Sequence, residues 1–282
     1  MQLHQDKFEY VCHSASKKSS NTLLELPFTA TMFQYSTDSG YILSPVDHLR
    51  DLGVTVTPDL SWSIHIGAIS SKARQMAAWV LSVFHTRDTD PMLTLYKSNV
   101  RCHVEYCSPL WNPTKIQDIQ ELESVQRYFT KRIAGHYNEH YWDRLKSLSL
   151  MSLQRRRERY ILIHMWKIRN GATSNDIEVC FTPEDRLGPL AVLPPLRKGC
   201  RSALQSLADR SFRTVGPKLW NAIPRKIRLK SSLDAFKSSL STFLLIIPDK
   251  PPIRGTTSPN SNSILDWRID RDASALFGSQ EC

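Results

Sequence analysis

The sequence predicts a mainly α-helical fold, with a short N-terminal β-hairpin region followed by a helical bundle and a smaller, basic helical unit. Three observations predict this fold. Only ten of the 282 residues are glycine, which argues against a turn-rich all-β protein. Short β-rich runs lie before Pro58. From Leu60 onward, apolar residues recur every three or four positions, the spacing of one face of a helix.

The first element is the hairpin region, which we assign to residues 1–57. Tyr41–Leu43 and Leu52–Val56 are β-rich runs, and the polar stretch Ser44–Asp51 connects them. These features predict two short strands joined by a polar connection, with Pro58 ending the region.

Residues 58–171 are predicted to form a helical domain. Asp90 precedes Pro91, a pair typical of a helix N-cap followed by proline at the first helical position. A second helix is therefore expected to begin there. The first helix is predicted from one apolar stripe, which consists of Trp62, Ile66, Ile69, Ala73, Met76, Val80 and Phe84.

Two further helices complete this domain. The third is predicted from Ile116 to Ile133, with Gly135 as its stop, and the fourth from about Ser152 to Asn170. Gly171 follows the fourth helix and supplies a C-terminal signal.

Residues 172–248 are predicted to form the basic C-terminal helical unit. A connector spaced by proline and glycine comes first, and a helix through Leu233 and Phe243 comes last. Residues 249–282, which begin with a stretch rich in Pro, Ser, Thr and Asn, are predicted to be a flexible tail.

Positive charge is concentrated in two windows of a chain whose formal net charge is +10. Residues 195–240 hold eleven Lys or Arg against two Asp, and residues 115–171 hold twelve against six acidic residues. This distribution is typical of proteins that contact phosphate backbones. A basic surface that only keeps the protein in solution is the alternative.

Cysteine usage and hydropathy predict an intracellular, soluble protein with reduced thiols and no membrane contact. The six cysteines have no regular spacing, and the N-terminus has no apolar core for a signal peptide. The longest apolar run, Phe243–Ile247, is too short to span a bilayer.

Catalytic motifs are missing from the sequence. A polymerase needs paired carboxylates to hold two magnesium ions, yet the chain contains no Asp-Asp pair. Asp88 and Asp90 come nearest, but Asp90 is better explained as a helix cap. A glycine-rich phosphate loop, Gly-x-Ser-x-Gly and His-Glu-x-x-His are also absent. We therefore expect no catalytic residue and no cofactor.

A zinc site is the alternative that the cysteine and histidine spacing leaves open. Cys102 and Cys107 form a Cys-x4-Cys pair, and His136 and His140 form a His-x3-His pair. Chance spacing among six cysteines and nine histidines explains these pairs better, so no metal site is predicted.

The most informative cluster is the set of arginines at the start of the fourth helix. They could bind phosphate oxygens as forked donors. Their position opposes the helix dipole, which predicts a counter-anion or an acidic neighbour. A solvated face with Glu158 as local partner is the alternative. The cluster consists of Arg155, Arg156, Arg157 and Arg159.

Four tryptophans could serve as platforms for stacked bases, but their helical spacing favours core positions. They are Trp111, Trp142, Trp166 and Trp220.

A series of short sequence motifs points to a protein family. Two examples are HLRDLGV at His48–Val54 and EYCSPLWNP at Glu105–Pro113. The others are residues 3–9, 59–66, 96–101, 122–133, 152–157, 166–171, 211–212, 219–224 and 232–237. In this order they resemble reverse transcriptases of non-LTR retrotransposons, of the jockey and chicken-repeat type. The resemblance covers roughly residues 3–250.

The resemblance implies a position after the catalytic aspartates of the polymerase. It implies that residues 1–57 are the end of the palm, with Asp51, Leu52, Gly53 and Val54 in a primer-grip-like hairpin. Residues 58–171 would be a thumb-like domain that holds RNA or an RNA/DNA duplex. Lys131 and Arg132 join the arginine cluster as expected nucleic-acid-binding residues.

The same resemblance implies that the endonuclease, the fingers and the catalytic palm lie upstream of Met1. The chain alone is then not an enzyme, although its parent polymerase would use magnesium, and the missing polymerase domains are expected partners. Two alternatives stay open: a free-standing protein that binds nucleic acid non-specifically, and a decayed reading frame without function.

Overall fold

The computed structural model describes residues 45–174 and 207–255, the shorter stretches 9–11, 42–43, 179–182, 189–194 and 262–266, and residues 36 and 40. The chain is mainly helical, with a short two-stranded antiparallel hairpin before the helices, which confirms the predicted fold class. Within the described ranges, no helix combines the length and apolar character needed to cross a lipid bilayer.

The chain divides into two compact units, residues 1–65 with 200–207, and residues 66–199 with 208–282. The first contains strands β1 (Leu49–Asp51) and β2 (Val54–Val56), which pair antiparallel with Leu49 opposite Val56. Leu52 and Gly53 form the turn, with φ of 44° and 86°. Two positive φ angles in a two-residue loop match the right-handed twist of the strands.

The predicted pairing of this hairpin was therefore wrong in one respect. The first strand lies within the stretch expected to be the connection, because the Leu52-Gly53 turn pairs residues that are close neighbours in sequence. Tyr41 and Ser44 lie outside the described residues.

A buried histidine accepts a hydrogen bond from the end of the hairpin. His65 is 2% exposed, and its Nδ1 accepts a hydrogen bond from the backbone N–H of Thr55 at 3.2 Å. Burial, and then the nearby Arg50, lower the pKa of His65.

The remaining elements are helical. A π-helical turn, Tyr96–Val100, joins α2 to α3, and a 3-10 turn, Ile264–Asp266, lies further on. The helices in chain order are α1 (Ser63–Val83), α2 (Thr89–Leu95), α3 (Arg101–Glu105), α4 (Ile116–Thr130), α5 (Tyr141–Ser147), α6 (Leu153–Arg169), α7 (Phe212–Ala222), α8 (Arg225–Arg228) and α9 (Leu233–Ile246).

The ends of α6 agree with the prediction. The Ser152 side chain accepts a hydrogen bond from the backbone N–H of Arg155 at 3.0 Å, as an N-cap does. Gly171 follows the helix with a φ of 66°. The predicted start of the second helix was two residues late, because Asp88 in extended conformation is the N-cap and Asp90 lies in the first turn.

The core of the second unit joins α6 to α7 and α9. Trp166, Trp220 and Phe236 are buried together, with the two tryptophan rings 6.1 and 5.9 Å from the phenylalanine ring. A Cβ placed on Gly216 of α7 would lie 2.8 Å from the sulfur of Met165, so any larger residue here would require the Met165 side chain to shift.

The boundary predicted at residue 172 therefore does not separate two cores. The helices after the connector bury their apolar faces against α6, whose apolar residues extend around more than one face. Sequence periodicity identified the helices but not this shared packing.

The expected flexible tail is corrected where the structure describes it. Ile253 and Ile264 are 3% and 0% exposed. Asp249 accepts a hydrogen bond from the backbone N–H of Ser152 at 2.7 Å, and the backbone N–H of Ile264 donates to the carboxylate of Glu158 at 3.1 Å. These residues supply partners to the start of α6, which explains why a polar, proline-rich segment is packed there.

Candidate nucleic-acid interface

Two of the four arginines expected to bind nucleic acid are buried. Arg155 and Arg157 are each 1% exposed. One Nη atom of Arg155 donates to the carbonyl of Pro248 at 3.1 Å, and Nε of Arg157 donates to the side-chain oxygen of Asn112 at 3.3 Å. A guanidinium in such a position is not available to a phosphate on the surface.

The other two arginines of the cluster are held by protein groups. Arg156 pairs with Glu105 and also donates to the hydroxyl of Tyr160 at 2.8 Å. Nε of Arg159 donates to the hydroxyl of Ser241 at 3.1 Å. The described contacts thus engage all four arginines with protein groups, which does not favour a surface that faces nucleic acid, whereas the prediction of an acidic neighbour is confirmed by Glu105.

Buried carboxyl groups surround these arginines. Glu123 and Glu158 are 0% and 4% exposed, and burial raises the pKa of each to about 7. Glu123 accepts hydrogen bonds from the hydroxyl of Tyr141 at 2.7 Å and from the backbone N–H of Gln154 at 2.9 Å. The start of α6 is thus a structural network of charges and polar groups inside the protein.

Lys131 and Arg132, at the end of α4, are exposed to solvent. The Lys131 ammonium lies 4.8 Å from the ring centroid of Tyr137, and the Arg132 guanidinium lies 3.7 Å from that of Tyr128. Cations placed over aromatic rings keep their charge at the surface while their stems stay ordered. These two of the six expected nucleic-acid-binding residues are accessible to a ligand.

A second segment, more than a hundred residues later, adds cations beside them. Arg127 of α4 donates to the backbone carbonyl of Arg254 at 3.4 Å. Lys250 lies 5.6 Å from the ring of Trp142, whose Nε1 donates to the carbonyl of Pro251 at 3.1 Å. We call this set the basic–aromatic surface; it consists of Arg127, Lys131, Arg132, Lys250 and Arg254 with the rings of Tyr137 and Trp142.

A cavity of about 280 Å³ opens within this surface. Arg127, Lys131 and Tyr137 line it, and so does Arg144, which is only 2% exposed. Glu139, which also lines the cavity, pairs with Nδ1 of His136 at 2.8 Å, and this hydrogen bond lowers the pKa of the carboxyl. Three cationic side chains therefore face one carboxylate that already has a partner.

Sequence reasoning missed most of this surface. Tyr137, Lys250 and Arg254 were not predicted as site residues, because Tyr137 lies in a loop and the other two lie in the segment expected to be a flexible tail. A weak signal was present, since residues 127–137 contain three basic residues and two tyrosines.

The primer-grip-like residues lie at the tip of the hairpin. Leu52 is 84% exposed in a left-handed conformation, and Asp51 and Gly53 are exposed, whereas Val54 is 3% exposed and belongs to the core. Three of the four are thus presented to solvent by the turn.

The basic C-terminal window is also partly exposed. Arg228 is 6% exposed, and Arg197, Lys198 and Arg201 lie outside the described residues. The exposed cations of this window are Arg213, Lys218, Arg225, Lys226 and Lys230. In the basic–aromatic surface, by comparison, Lys131, Arg132 and Lys250 each lie over an aromatic ring.

The residues considered for a metal site serve local structure. Cys102 donates to the carbonyl of Ser98 at 3.1 Å, His136 pairs with Glu139, and the ring of His140 caps α5. Cys107 is exposed with a φ of 51°. In the part of the chain that the structure describes, no three His, Cys, Asp or Glu side chains are grouped so that they could hold a metal ion.

The four tryptophans divide between core and surface. Trp111 and Trp220 are 0% exposed and Trp166 is 6% exposed, which confirms the core prediction for them. Trp142 is half-buried and belongs to the basic–aromatic surface.

No protein-family model matches the chain, and no curated protein or solved structure is significantly similar to it.

Proposed function

We propose that this chain binds nucleic acid without sequence preference through the basic–aromatic surface. The observation that carries the proposal is that two distant segments, Arg127–Arg132 and Lys250–Arg254, bring five exposed cations together. Arg127 donates to the backbone of Arg254, and Lys131 and Lys250 lie over the rings of Tyr137 and Trp142. Exposed cations release condensed counterions when they contact phosphates, and aromatic rings stack on bases.

The placement of these cations also has a structural benefit. Arg127 lies in the last turn of α4, and Lys131 is its C-cap residue, where positive charge complements the helix dipole. That benefit explains the α4 residues alone. It does not explain why Lys250 and Arg254 join them from a separate segment.

The resemblance to non-LTR retrotransposon reverse transcriptases supports a more specific form of this proposal. In that form the chain is a thumb-like part of an RNA-directed DNA polymerase, holds RNA or an RNA/DNA duplex, and works with polymerase domains that carry the catalytic aspartates. The chain itself would then contribute binding and no chemistry, because its sequence has no Asp-Asp pair.

Binding is tested by fluorescence anisotropy with labelled RNA and RNA/DNA duplex over a range of salt concentrations. We expect affinity to fall steeply between about 50 and 200 mM salt. Replacing Arg127, Lys131 and Arg132 together by alanine should lower affinity at least tenfold and reduce the salt slope by about two to three.

The matched control replaces three exposed cations of the C-terminal window, Lys218, Arg225 and Lys226, by alanine. The net charge changes equally in both triple variants. Equal loss of affinity in the two variants would show that total charge, and not the basic–aromatic surface, determines binding.

The absence of chemistry is tested by primer extension with magnesium. We expect no DNA synthesis by the chain alone. Extension that persists after repurification would contradict the non-catalytic part of the proposal.

A further inference from the structure

The cavity within the basic–aromatic surface suggests which form of nucleic acid is bound. We propose that this cavity takes one nucleotide of a single-stranded segment, with its phosphate on Arg127 and Lys131 and its base against Tyr137. This inference rests on the proposed function and goes beyond it, because electrostatic attraction alone does not distinguish a single strand from a duplex.

The size of the cavity is the first argument. Its volume of about 280 Å³ lies at the lower end of the range for small-molecule sites, about 300 to 1,000 Å³. A unit no larger than one nucleotide fits that space. A duplex keeps its bases paired and stacked inside, and therefore presents only its backbone and groove edges to a surface.

The charge of the cavity is the second argument. Arg127 and Lys131 are exposed at its walls, while Arg144 is buried below them. The Arg144 guanidinium donates to the hydroxyl of Thr130 at 3.1 Å and to the carbonyls of His136 and Glu139 at 3.3 and 3.1 Å. These acceptors are neutral, and the one carboxylate in the cavity, Glu139, is hydrogen-bonded to His136, so the three cations outnumber the acid and attract a phosphate.

The aromatic ring is the third argument. Tyr137 is 65% exposed, although tyrosine usually buries most of its ring. Lys131 lies over the ring, which places a cation and a stacking platform side by side at the cavity. Bases stack on such rings only when they are turned out of a duplex or belong to a single strand.

Neighbouring groups complete a polar and apolar lining. Asn138 offers an amide that could donate to or accept from a base edge, and Ile253 contributes an apolar wall. Ile253 comes from the segment after α9, so that segment forms part of the cavity wall.

The test compares a fluorescein-labelled single strand of thymidylates with a duplex of the same length, using the full chain and anisotropy at fixed salt. We expect the single strand to bind more tightly. Tyr137→Ala should weaken single-strand binding roughly tenfold, leave duplex binding unchanged and leave the salt slope unchanged, because a stacking contact involves no phosphate. Tyr137→Phe should keep wild-type affinity.

The control variant is Tyr106→Ala, since Tyr106 is 54% exposed but lies in a different cavity, beside Cys102 and Lys167. It should bind the single strand as the wild type does. If Tyr137→Ala is poorly folded by circular dichroism, Tyr137→Leu preserves apolar bulk without the ring and should show the same loss.

A second measurement locates the contact directly. Ultraviolet crosslinking of a bromouridine-containing single strand, followed by mass spectrometry, should give an adduct at Tyr137. Adducts confined to peptides outside residues 127–144 would overturn the inference.

The outcomes separate this inference from the proposed function. If the wild type binds both probes equally and Tyr137→Ala changes neither affinity, the nucleotide cavity is rejected while non-specific binding stands. If the wild type binds neither probe, both proposals fall.

Discussion

Two basic clusters of this protein look alike in sequence and have opposite environments. Arg155–Arg159 lie in the first two turns of α6, whereas Arg127, Lys131 and Arg132 lie at the end of α4. The first cluster is largely buried among carboxyl groups, and the second is exposed beside aromatic rings.

The helix dipole explains part of this difference. Positive charges at a helix N-terminus are disfavoured, so the α6 cluster needs nearby acids, which Glu105, Glu123 and Asp249 provide. Positive charges at a C-terminus are favoured and can stay in water. A basic cluster at the start of a helix is therefore better interpreted as structural, and one at the end as available for a ligand.

The largest expected effect comes from removing a buried arginine. Arg157→Ala should lower the free energy of unfolding by about 3 to 5 kcal/mol, because it leaves Glu123 and Glu158 buried without their shared cationic neighbour. Chemical denaturation measures it. Lys218→Ala, on the exposed face of α7, is the control and should change stability by less than about 0.5 kcal/mol.

A loss of nucleic-acid affinity in folded Arg157→Ala that equals the loss in the Arg127, Lys131 and Arg132 triple variant would break the comparison. It would mean that the buried cluster takes part in binding after all.

The second effect is a dependence of stability on pH. The pKa values of Glu123 and Glu158 are about 7 in the folded chain, above the ordinary value of 4.5, because burial disfavours the charged form. A carboxyl group whose pKa is higher in the folded chain than in the unfolded chain stabilises the fold. This stabilisation is complete below the unfolded pKa and is lost as the pH rises through the folded pKa. Stability should therefore fall between pH 5 and pH 8, by on the order of 2 kcal/mol for each carboxyl.

Urea denaturation at several pH values measures this slope. Glu123→Gln should remove about half of it, whereas Asp143→Asn, at an exposed site on α5, should leave it as in the wild type. A slope of the opposite sign would show that the arginines, and not burial, dominate these carboxyl groups.

A smaller effect is expected at the edge of the buried cluster. Glu105→Gln removes the charge that pairs with Arg156 and accepts from the hydroxyl of Tyr160. Because both charged side chains are only 12–17% exposed, we expect a loss of about 1 to 3 kcal/mol in unfolding free energy. Thermal and chemical denaturation should agree. If the variant is as stable as the wild type, water replaces the Glu105–Arg156 ion pair without lowering the free energy of unfolding.

Replacing Lys131 is expected to have the smallest effect on stability but a clear effect on nucleic-acid binding. Lys131→Ala should change the unfolding free energy by less than about 0.5 kcal/mol, since the side chain is exposed. It should lower nucleic-acid affinity several-fold and reduce the salt slope by about one. Lys218→Ala again serves as the control. Loss of stability without loss of affinity would reverse the assignment of the two clusters.

The sequence predicted the helices well where both ends carried a chemical signal. Ser152 and Gly171 fixed α6, because a hydroxyl cap and a left-handed glycine are local features that need no tertiary partner. The hairpin region was located, but its first strand was predicted at Tyr41–Leu43 and lies at Leu49–Asp51, since only the Leu52-Gly53 turn selects the pairing.

Local pattern could not separate the two basic clusters. Whether Arg157 meets a carboxyl group or water depends on where α4 and the segment after α9 are placed, and no spacing within α6 encodes that. Composition likewise suggested a flexible tail, because the burial of described tail residues such as Ile253 and Ile264 depends on a surface built by other elements.

The sequence by itself determined a mainly helical chain, an excess of positive charge and the absence of paired polymerase carboxylates, because periodicity, charge and motif are properties of nearby residues. Only the tertiary structure decided which cations are buried, which lie beside Tyr137 and Trp142, and that residues 250–254 help to form the cavity. Many of those outcomes depend on contacts between residues far apart in sequence, from 45 positions for Arg157 to 127 for Arg127. Burial and desolvation there decide whether a charge serves the fold or a ligand.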